Sequence, residues 1–84
     1  MSIWICSEVS KKSNSPIFIK LVIAVKNLNV IKKEITKEYL KLICNELNET
    51  YYNTNVVVKE ENGIFIIQQF SKTICEIKKS RYVQ

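Results

Sequence analysis

The sequence predicts an α+β fold in which a mainly antiparallel sheet packs against one amphipathic helix. Two observations carry this prediction. Apolar side chains recur at helical spacing over residues 30–52, and an Asn-Gly pair at residues 62–63 joins two β-rich runs. Three further β-rich runs complete the predicted element order β-β-α-β-β-β. A ferredoxin-like variant, with helical structure near the C-terminus, is the alternative.

The length of the chain allows only one hydrophobic core. The 84 residues have a mass of 9.8 kDa, and a folded chain of this size buries about 64% of the surface that it exposes when unfolded. We therefore expect a single small domain over residues 1–84, in which a tail at residues 80–84 is free to fray.

The first two apolar runs are predicted strands. Residues 2–9 are rich in β-branched and aromatic side chains, with Ile3, Ile5 and Ser7 alternating against Trp4, Cys6 and Glu8. Residues 17–26 are apolar on both faces, as is typical of a central strand. The polar segment SKKSNSP, at residues 10–16, separates the two runs. They are therefore expected to pair as a hairpin.

The third run, residues 30–52, is the predicted helix. At about 100° per residue, one stripe collects five side chains: Leu40, Ile43, Cys44, Leu47 and Tyr51. Thr36 is the predicted N-cap, and residues 30–35 could add one more turn. Ile35 and Leu42 lie together off the main stripe, and we expect them to widen the buried face.

The strongest local signal is a β-hairpin over residues 55–70. Asn62 and Gly63 predict a two-residue type I′ turn, in which glycine supplies a positive φ. This register pairs Glu61 with Ile64. It places Val57, Ile64 and Ile66 on one face of the hairpin, and on the other face four apolar residues: Val56, Val58, Phe65 and Ile67. After a turn at residues 69–72, residues 73–79 form the last predicted strand.

The charge of the chain indicates acidic partners. Thirteen basic residues against eight acidic ones give a net charge of +5, which favours RNA, DNA or another anionic surface. The candidate nucleic-acid-binding residues are Lys11, Lys12, Lys32, Lys33, Lys78, Lys79 and Arg81. Arg81 is the only arginine, and the sequence has no RNP1-like run or GxxG loop. Binding to RNA or to a ribonucleoprotein is therefore the alternative function.

Catalysis is disfavoured by composition. Histidine and aspartate are absent, and the three cysteines, Cys6, Cys44 and Cys75, form no CxxC pair. We expect no enzyme activity, catalytic residue, metal, cofactor or small-molecule substrate. An odd cysteine count without a visible secretion signal predicts free thiols in a reducing, cytoplasmic setting. Cys44 lies on the apolar helix stripe, where burial is expected to raise its pKa.

The predicted strands carry more apolar side chains than one helix can cover. Because large exposed apolar patches mark interfaces, we expect the uncovered face to bind a second copy or another protein. The candidate interface residues are Val57, Ile64, Ile66 and Phe70. Alternatively, an edge strand at residues 73–79 or 2–9 adds to a partner's sheet. The predicted function is a small intracellular binding module, acting as a homodimer or docked on a larger target.

Two further expectations come from composition and hydropathy. The bias toward Ile, Lys and Asn is typical of AT-rich coding sequence, which for so compact a chain suits a viral or mobile-element origin. The most apolar stretch, residues 17–25, contains Lys20 and is far shorter than the roughly 20 residues of a membrane-spanning helix. No membrane insertion is therefore expected.

Overall fold

The computed structural model describes residues 3–51 and 54–83, with side chains for residues 6–51 and 54–79. Its elements are β1 (Ile3–Lys11), α1 (Phe18–Val30), α2 (Lys37–Thr50), β2 (Val56–Glu61), β3 (Ile64–Gln69) and β4 (Lys72–Val83). The four strands form one antiparallel sheet in the order β1-β4-β3-β2. The predicted α+β class with an antiparallel sheet is confirmed, whereas the predicted element order and single helix are wrong.

The first correction concerns residues 17–26, which were predicted as a central strand and lie mostly in α1. Leu21, Val25 and Leu28 are buried at the i, i+4, i+7 spacing of a helix face. The prediction failed because a helix that is apolar all round has the same composition as a buried strand. The expected hairpin between the first two runs is therefore absent, and β1 pairs with β4 instead.

A helix C-cap separates α1 from α2. Lys32 has a φ of 55°, its N–H donates to Asn29 O, and the Lys33 N–H donates to Leu28 O. These two bonds form a Schellman motif, which ends a helix at a left-handed residue. Residues 31–36 are consequently a loop, so the further turn that residues 30–35 could have added to α2 does not form.

The start of α2 and its buried stripe largely follow the sequence. The Thr36 hydroxyl accepts a hydrogen bond from the Tyr39 N–H at 3.2 Å, which confirms the predicted N-cap. The core residues contributed by α2 are Leu40, Cys44 and Leu47. Ile35 is buried in the preceding loop, but Leu42 is 66% exposed, so only one of the two residues expected to widen the buried face does so.

The β2–β3 hairpin has the predicted register throughout, from the Glu61–Ile64 pair to the Val56–Gln69 pair. Asn62 has a φ of 52° and Gly63 a φ of 77°, as a type I′ turn requires. A Cβ on Gly63 would meet nothing within 4 Å. Glycine is therefore favoured at position 63 because of its positive φ, and not because a side chain would clash with a neighbour.

Both helices cover the same face of the sheet. The buried residues of β3 alternate along the strand and face buried residues of β4: Phe65 pairs with Ile77, and Ile67 with Cys75. Beside Cys75, Ile74 is also buried, because the register between β3 and β4 shifts there by one residue. These residues form one hydrophobic cluster with the buried residues of both helices. Since α1 packs against β1 and α2 against β2, the opposite face of the sheet carries no helix.

The strand order corrects one predicted edge. Residues 73–79, predicted as an edge strand, lie in β4, which is central between β1 and β3. The edges are β1, as predicted for residues 2–9, and β2. Residues 80–83, which belong to the tail expected to fray, continue β4 by pairing with β1.

Each edge strand is bonded to an asparagine of the helix beside it. The side-chain amide of Asn29 accepts from Ser7 N at 2.9 Å and donates to Ser7 O at 2.8 Å. Asn48 makes the same two bonds to Val56, at 2.7 and 2.9 Å. Because these backbone groups face away from the sheet, the two asparagines occupy positions at which a further strand would pair.

Candidate functional site: the open face of the sheet

The open face is the side of the sheet that the helices leave uncovered. Alternation along the strands, together with the cross-strand pairing, assigns to it Cys6, Glu8, Ser10, Val57, Lys59, Glu61, Ile64, Ile66, Gln68, Thr73, Glu76 and Lys78. Three glutamates and two lysines give it one net negative charge, in a chain whose net charge is +5. The open face therefore differs in sign from the chain as a whole.

The structure brings three of the four predicted interface residues together on the open face. Ile64 and Ile66 are consecutive open-face residues of β3, and both are partly exposed. Val57 is 47% exposed and lies diagonally across from Ile66, in the next row of β2. Ile64 and Ile66 therefore form a small apolar column along β3, and Val57 of β2 is its apolar neighbour.

The fourth predicted interface residue, Phe70, lies in the turn between β3 and β4. Phe70 and Ser71 have φ values of 51° and 66°, so two non-glycine residues adopt left-handed backbone in a two-residue turn. That conformation costs about 1–2 kcal/mol per residue. The Phe70 side chain is 57% exposed, at the end of the sheet and roughly 13 Å along β3 from Ile66.

The basic residues at the end of β1 are already engaged with neighbouring groups. The Lys11 ammonium lies 5.7 Å from the centre of the Phe18 ring, and Lys12 forms an ion pair of 4.0 Å with Glu76. Lys11 is four residues along β1 from Ser7, or roughly 13 Å. These two lysines therefore occupy one end of the sheet.

The remaining predicted basic residues are spread over other parts of the fold, with Lys78 and Lys79 near the middle of β4. Lys79 pairs with Ser7 across the strands, donates to Glu34 at 3.0 Å and lies 5.4 Å from the Phe65 ring centre. Lys78 points to the open face, because neighbouring residues of a strand alternate. Lys32 and Lys33 lie in the loop after α1, and the Arg81 side chain is outside the described residues. These residues do not join Lys11 and Lys12 in one patch.

Nothing in the geometry around Ser7 resembles an activated nucleophile. Its hydroxyl is buried and has no hydrogen-bond partner, and Lys79, on the paired strand, binds Glu34.

The described residues also give no sign of a metal site or of a membrane-spanning helix. Within residues 3–51 and 54–83, no group of three potential ligands could hold a metal ion. Over the same residues, no helix has the length and hydropathy needed to cross a bilayer.

Two of the three cysteines are buried in the core. Desolvation raises the pKa of Cys44 to about 11, as the helix stripe predicted, and that of Cys75 to about 12. The nearby Cys44 and Glu76 contribute to the shift at Cys75. Since the thiolate is the reactive form, both thiols are poor nucleophiles at neutral pH.

The burial of these thiols gives a direct test. In a Cys6→Ser variant, we expect no reaction with a thiol-specific reagent at pH 8 until the chain is unfolded by guanidinium, and then reaction of both remaining cysteines. The absorbance of the coloured reaction product gives the number of thiols that have reacted. Reaction of either thiol within minutes in the folded variant would contradict the described core.

Comparison with known proteins does not assign the chain to a family. No protein-family model, curated protein or solved structure matches it. A function can therefore be proposed only from the residues themselves, and the open face offers the most specific arrangement.

Proposed function

We propose that this chain is a non-catalytic protein-association module that forms a homodimer by packing the open faces of two sheets together. The charge pattern of the open face supports this proposal most directly. Ile64 and Ile66 form its central column, and charged residues of alternating sign flank them: Glu61 and Lys59 on β2, and Lys78 and Glu76 on β4. In the row of Ile64 the β2 residue is negative and the β4 residue is positive, and in the row of Ile66 the two signs are exchanged.

This pattern is complementary to itself. A twofold axis parallel to β3 sets Glu61 of one copy against Lys78 of the other, and Lys59 against Glu76. The same rotation stacks the isoleucine column on its own counterpart. Such a contact is isologous, with the same patch used by both copies. Aligned sheets pack face to face about 10 Å apart, close enough for these side chains to interdigitate.

Charge also favours the open face over the rest of the surface for self-association. The open face has one net negative charge, so the remainder of the chain has a net charge of +6. Two copies approaching through the basic remainder repel each other, whereas the mixed charges of the open face attract. The apolar column then contributes burial that does not depend on salt.

The proposal is tested by placing a carboxylate on the open face. We expect Ile66→Glu and Val57→Glu to weaken dimerisation at least about 100-fold, because each would bury an unpaired charge at the contact. Leu42→Glu, on the exposed side of α2, is the matched control and should leave the dimer intact. Sedimentation equilibrium measures the dissociation constants of the unaltered chain and of the three variants. A dimer that survives Val57→Glu and Ile66→Glu, with circular dichroism unchanged, would rule out this contact.

A charge exchange tests the twofold arrangement itself. Lys59→Glu should weaken the dimer, because it sets two glutamates against each other across the axis. Adding Glu76→Lys should restore affinity, since the pair is then reversed and intact. If the double variant dimerises no better than Lys59→Glu alone, the axis does not run parallel to β3.

RNA or DNA binding through the lysine groups is the second candidate, supported by the net charge of +5. It predicts an affinity that falls steeply with salt, because phosphate contacts release counterions. The cytoplasmic setting and the viral or mobile-element origin stay predictions from the free cysteines and the composition.

A further inference from the structure

Helix α1 has a second apolar stripe that faces solvent. Ile19, Ile23 and Val30 are 66%, 52% and 80% exposed. At about 100° per residue they lie within roughly 40° of one another. The buried residues of the helix, Leu21, Val25 and Leu28, lie about 180° away. We name the exposed stripe the outer ridge: Ile19, Ile23 and Val30.

The charges around the outer ridge are all positive along the chain. Between Glu8 and Glu34 there is no acidic residue, and this interval contains six lysines: Lys11, Lys12, Lys20, Lys26, Lys32 and Lys33. On the helical projection Lys26 lies beside the ridge and Lys20 flanks its other side. Lys32 and Lys33 follow its end, next to Ile31, which is 62% exposed.

We propose that α1 binds the surface of an anionic lipid bilayer. Helices that lie in a membrane interface combine an apolar stripe with flanking lysines, and their binding adds apolar burial to attraction for acidic lipid headgroups. In this arrangement α1, about 20 Å long, lies parallel to the membrane. The outer ridge enters the boundary between headgroups and acyl chains, and the lysines contact lipid phosphates.

Other occupants fit the outer ridge less well. A second copy would bring two sets of lysines together, which is repulsive. Nucleic acid would match the lysines, but aliphatic side chains offer bases no stacking platform. An acidic protein would have to fit both the outer ridge and the groove beside it, which Ile23 also lines, whereas lipids adapt their packing to such a surface. The bilayer is therefore the occupant that uses both the apolar and the basic residues.

Two acidic residues lie close to these lysines: Glu34, which follows Lys33 and is bonded to Lys79, and Glu46. Glu46 of α2 lines the groove between the helices, together with Lys20 and Tyr51. Lys20 also lies 5.1 Å from the centre of the Tyr51 ring. We therefore expect the electrostatic part of the binding to depend mainly on Lys26 and Lys33.

The test is flotation of the full chain with vesicles of phosphatidylcholine alone, or of phosphatidylcholine and phosphatidylserine in equal amounts. We expect binding to the acidic vesicles only, and weaker binding at high salt. The double variant Ile19→Ser/Ile23→Ser should weaken binding at least about tenfold. Lys26→Glu/Lys33→Glu should weaken it roughly 25-fold or more, since each lysine near an acidic surface contributes about fivefold.

Two control variants separate the outer ridge from general effects. Leu42→Ser removes an equally exposed apolar residue from α2, and Lys72→Glu reverses an exposed charge at the first residue of β4, outside both the outer ridge and the open face. Both should bind the acidic vesicles like the unaltered chain. Absence of binding to acidic vesicles, or equal binding by Ile19→Ser/Ile23→Ser, would overturn the proposal. Because the outer ridge and the open face lie on opposite sides of the sheet, neither result bears on dimerisation.

Discussion

Replacing Leu21 by alanine is expected to lower the free energy of unfolding by about 2–5 kcal/mol, whereas Ile19→Ala should change it by less than about 0.5 kcal/mol. Leu21 is fully buried and its truncation leaves a cavity in the core. Ile19 is 66% exposed on the outer ridge, where alanine also has the higher helix propensity.

This contrast distinguishes a helix from a strand. In a strand, residues 19 and 21 share one face and would respond alike, but in α1 they lie about 160° apart. Guanidinium unfolding followed by circular dichroism measures both values. Losses of similar size at the two positions would contradict the helical assignment of α1, and Leu42→Ala provides an exposed helical reference on α2.

Replacing Asn29 by alanine is expected to destabilise the fold by about 2–4 kcal/mol and to promote aggregation. The substitution leaves the N–H and C=O of Ser7 without their partners at 2.9 and 2.8 Å. Ser7 is only 3% exposed, so water cannot readily replace them, and each unpaired buried group costs about 1–3 kcal/mol. The freed groups also offer the β1 edge to another chain.

Asn48→Ala should have a similar effect at the other edge, because it removes the same two bonds from Val56. Asn45→Ala, an exposed asparagine on α2, is the matched control and should change the unfolding free energy by less than about 0.5 kcal/mol. Chemical unfolding and light scattering at constant temperature measure stability and aggregation. If Asn29→Ala is as mild as Asn45→Ala, the asparagine bonds do not protect the edges.

The parts of the fold that sequence reasoning predicted correctly depend on local chemistry. Asn62 and Gly63 determine the turn type, and the turn type determines the register of the whole β2–β3 hairpin. Thr36 determines where α2 begins through one hydrogen bond. In both cases a few adjacent residues contain the information, so no knowledge of the tertiary structure is needed.

The helix α1 was predicted as a strand because its pattern of apolar residues does not show a helical period. Its outer ridge and its buried stripe together make the segment apolar all round, which removes the helical periodicity from the pattern. The spacing of Leu21, Val25 and Leu28 was present in the sequence, but the apolar residues between them concealed it. The sequence also gives no sign that the amide of Asn29 is bonded to Ser7 of β1, because the two residues are 22 positions apart.

The candidate site was predictable in part. Alternation in the hairpin placed Val57, Ile64 and Ile66 on one face, but which face the helices cover depends on packing of distant segments. The self-complementary charges also could not be predicted, because they lie on both sides of β3 and require the position of β4. Similarly, the separation of Lys11 from Lys79 follows from the pairing of β1 with β4, two strands at opposite ends of the chain.

Light-scattering mass on a sizing column, at low and at high salt and with absorbance recorded at two wavelengths for protein and nucleic acid, tests the proposed association most directly. The open-face dimer predicts a mass of twice 9.8 kDa at both salt concentrations, with no nucleic-acid absorbance. A monomer, or a heavier species that contains nucleic acid and dissociates in high salt, would contradict the open-face dimer. The lysines would then be the proposed binding surface, with nucleic acid as the partner.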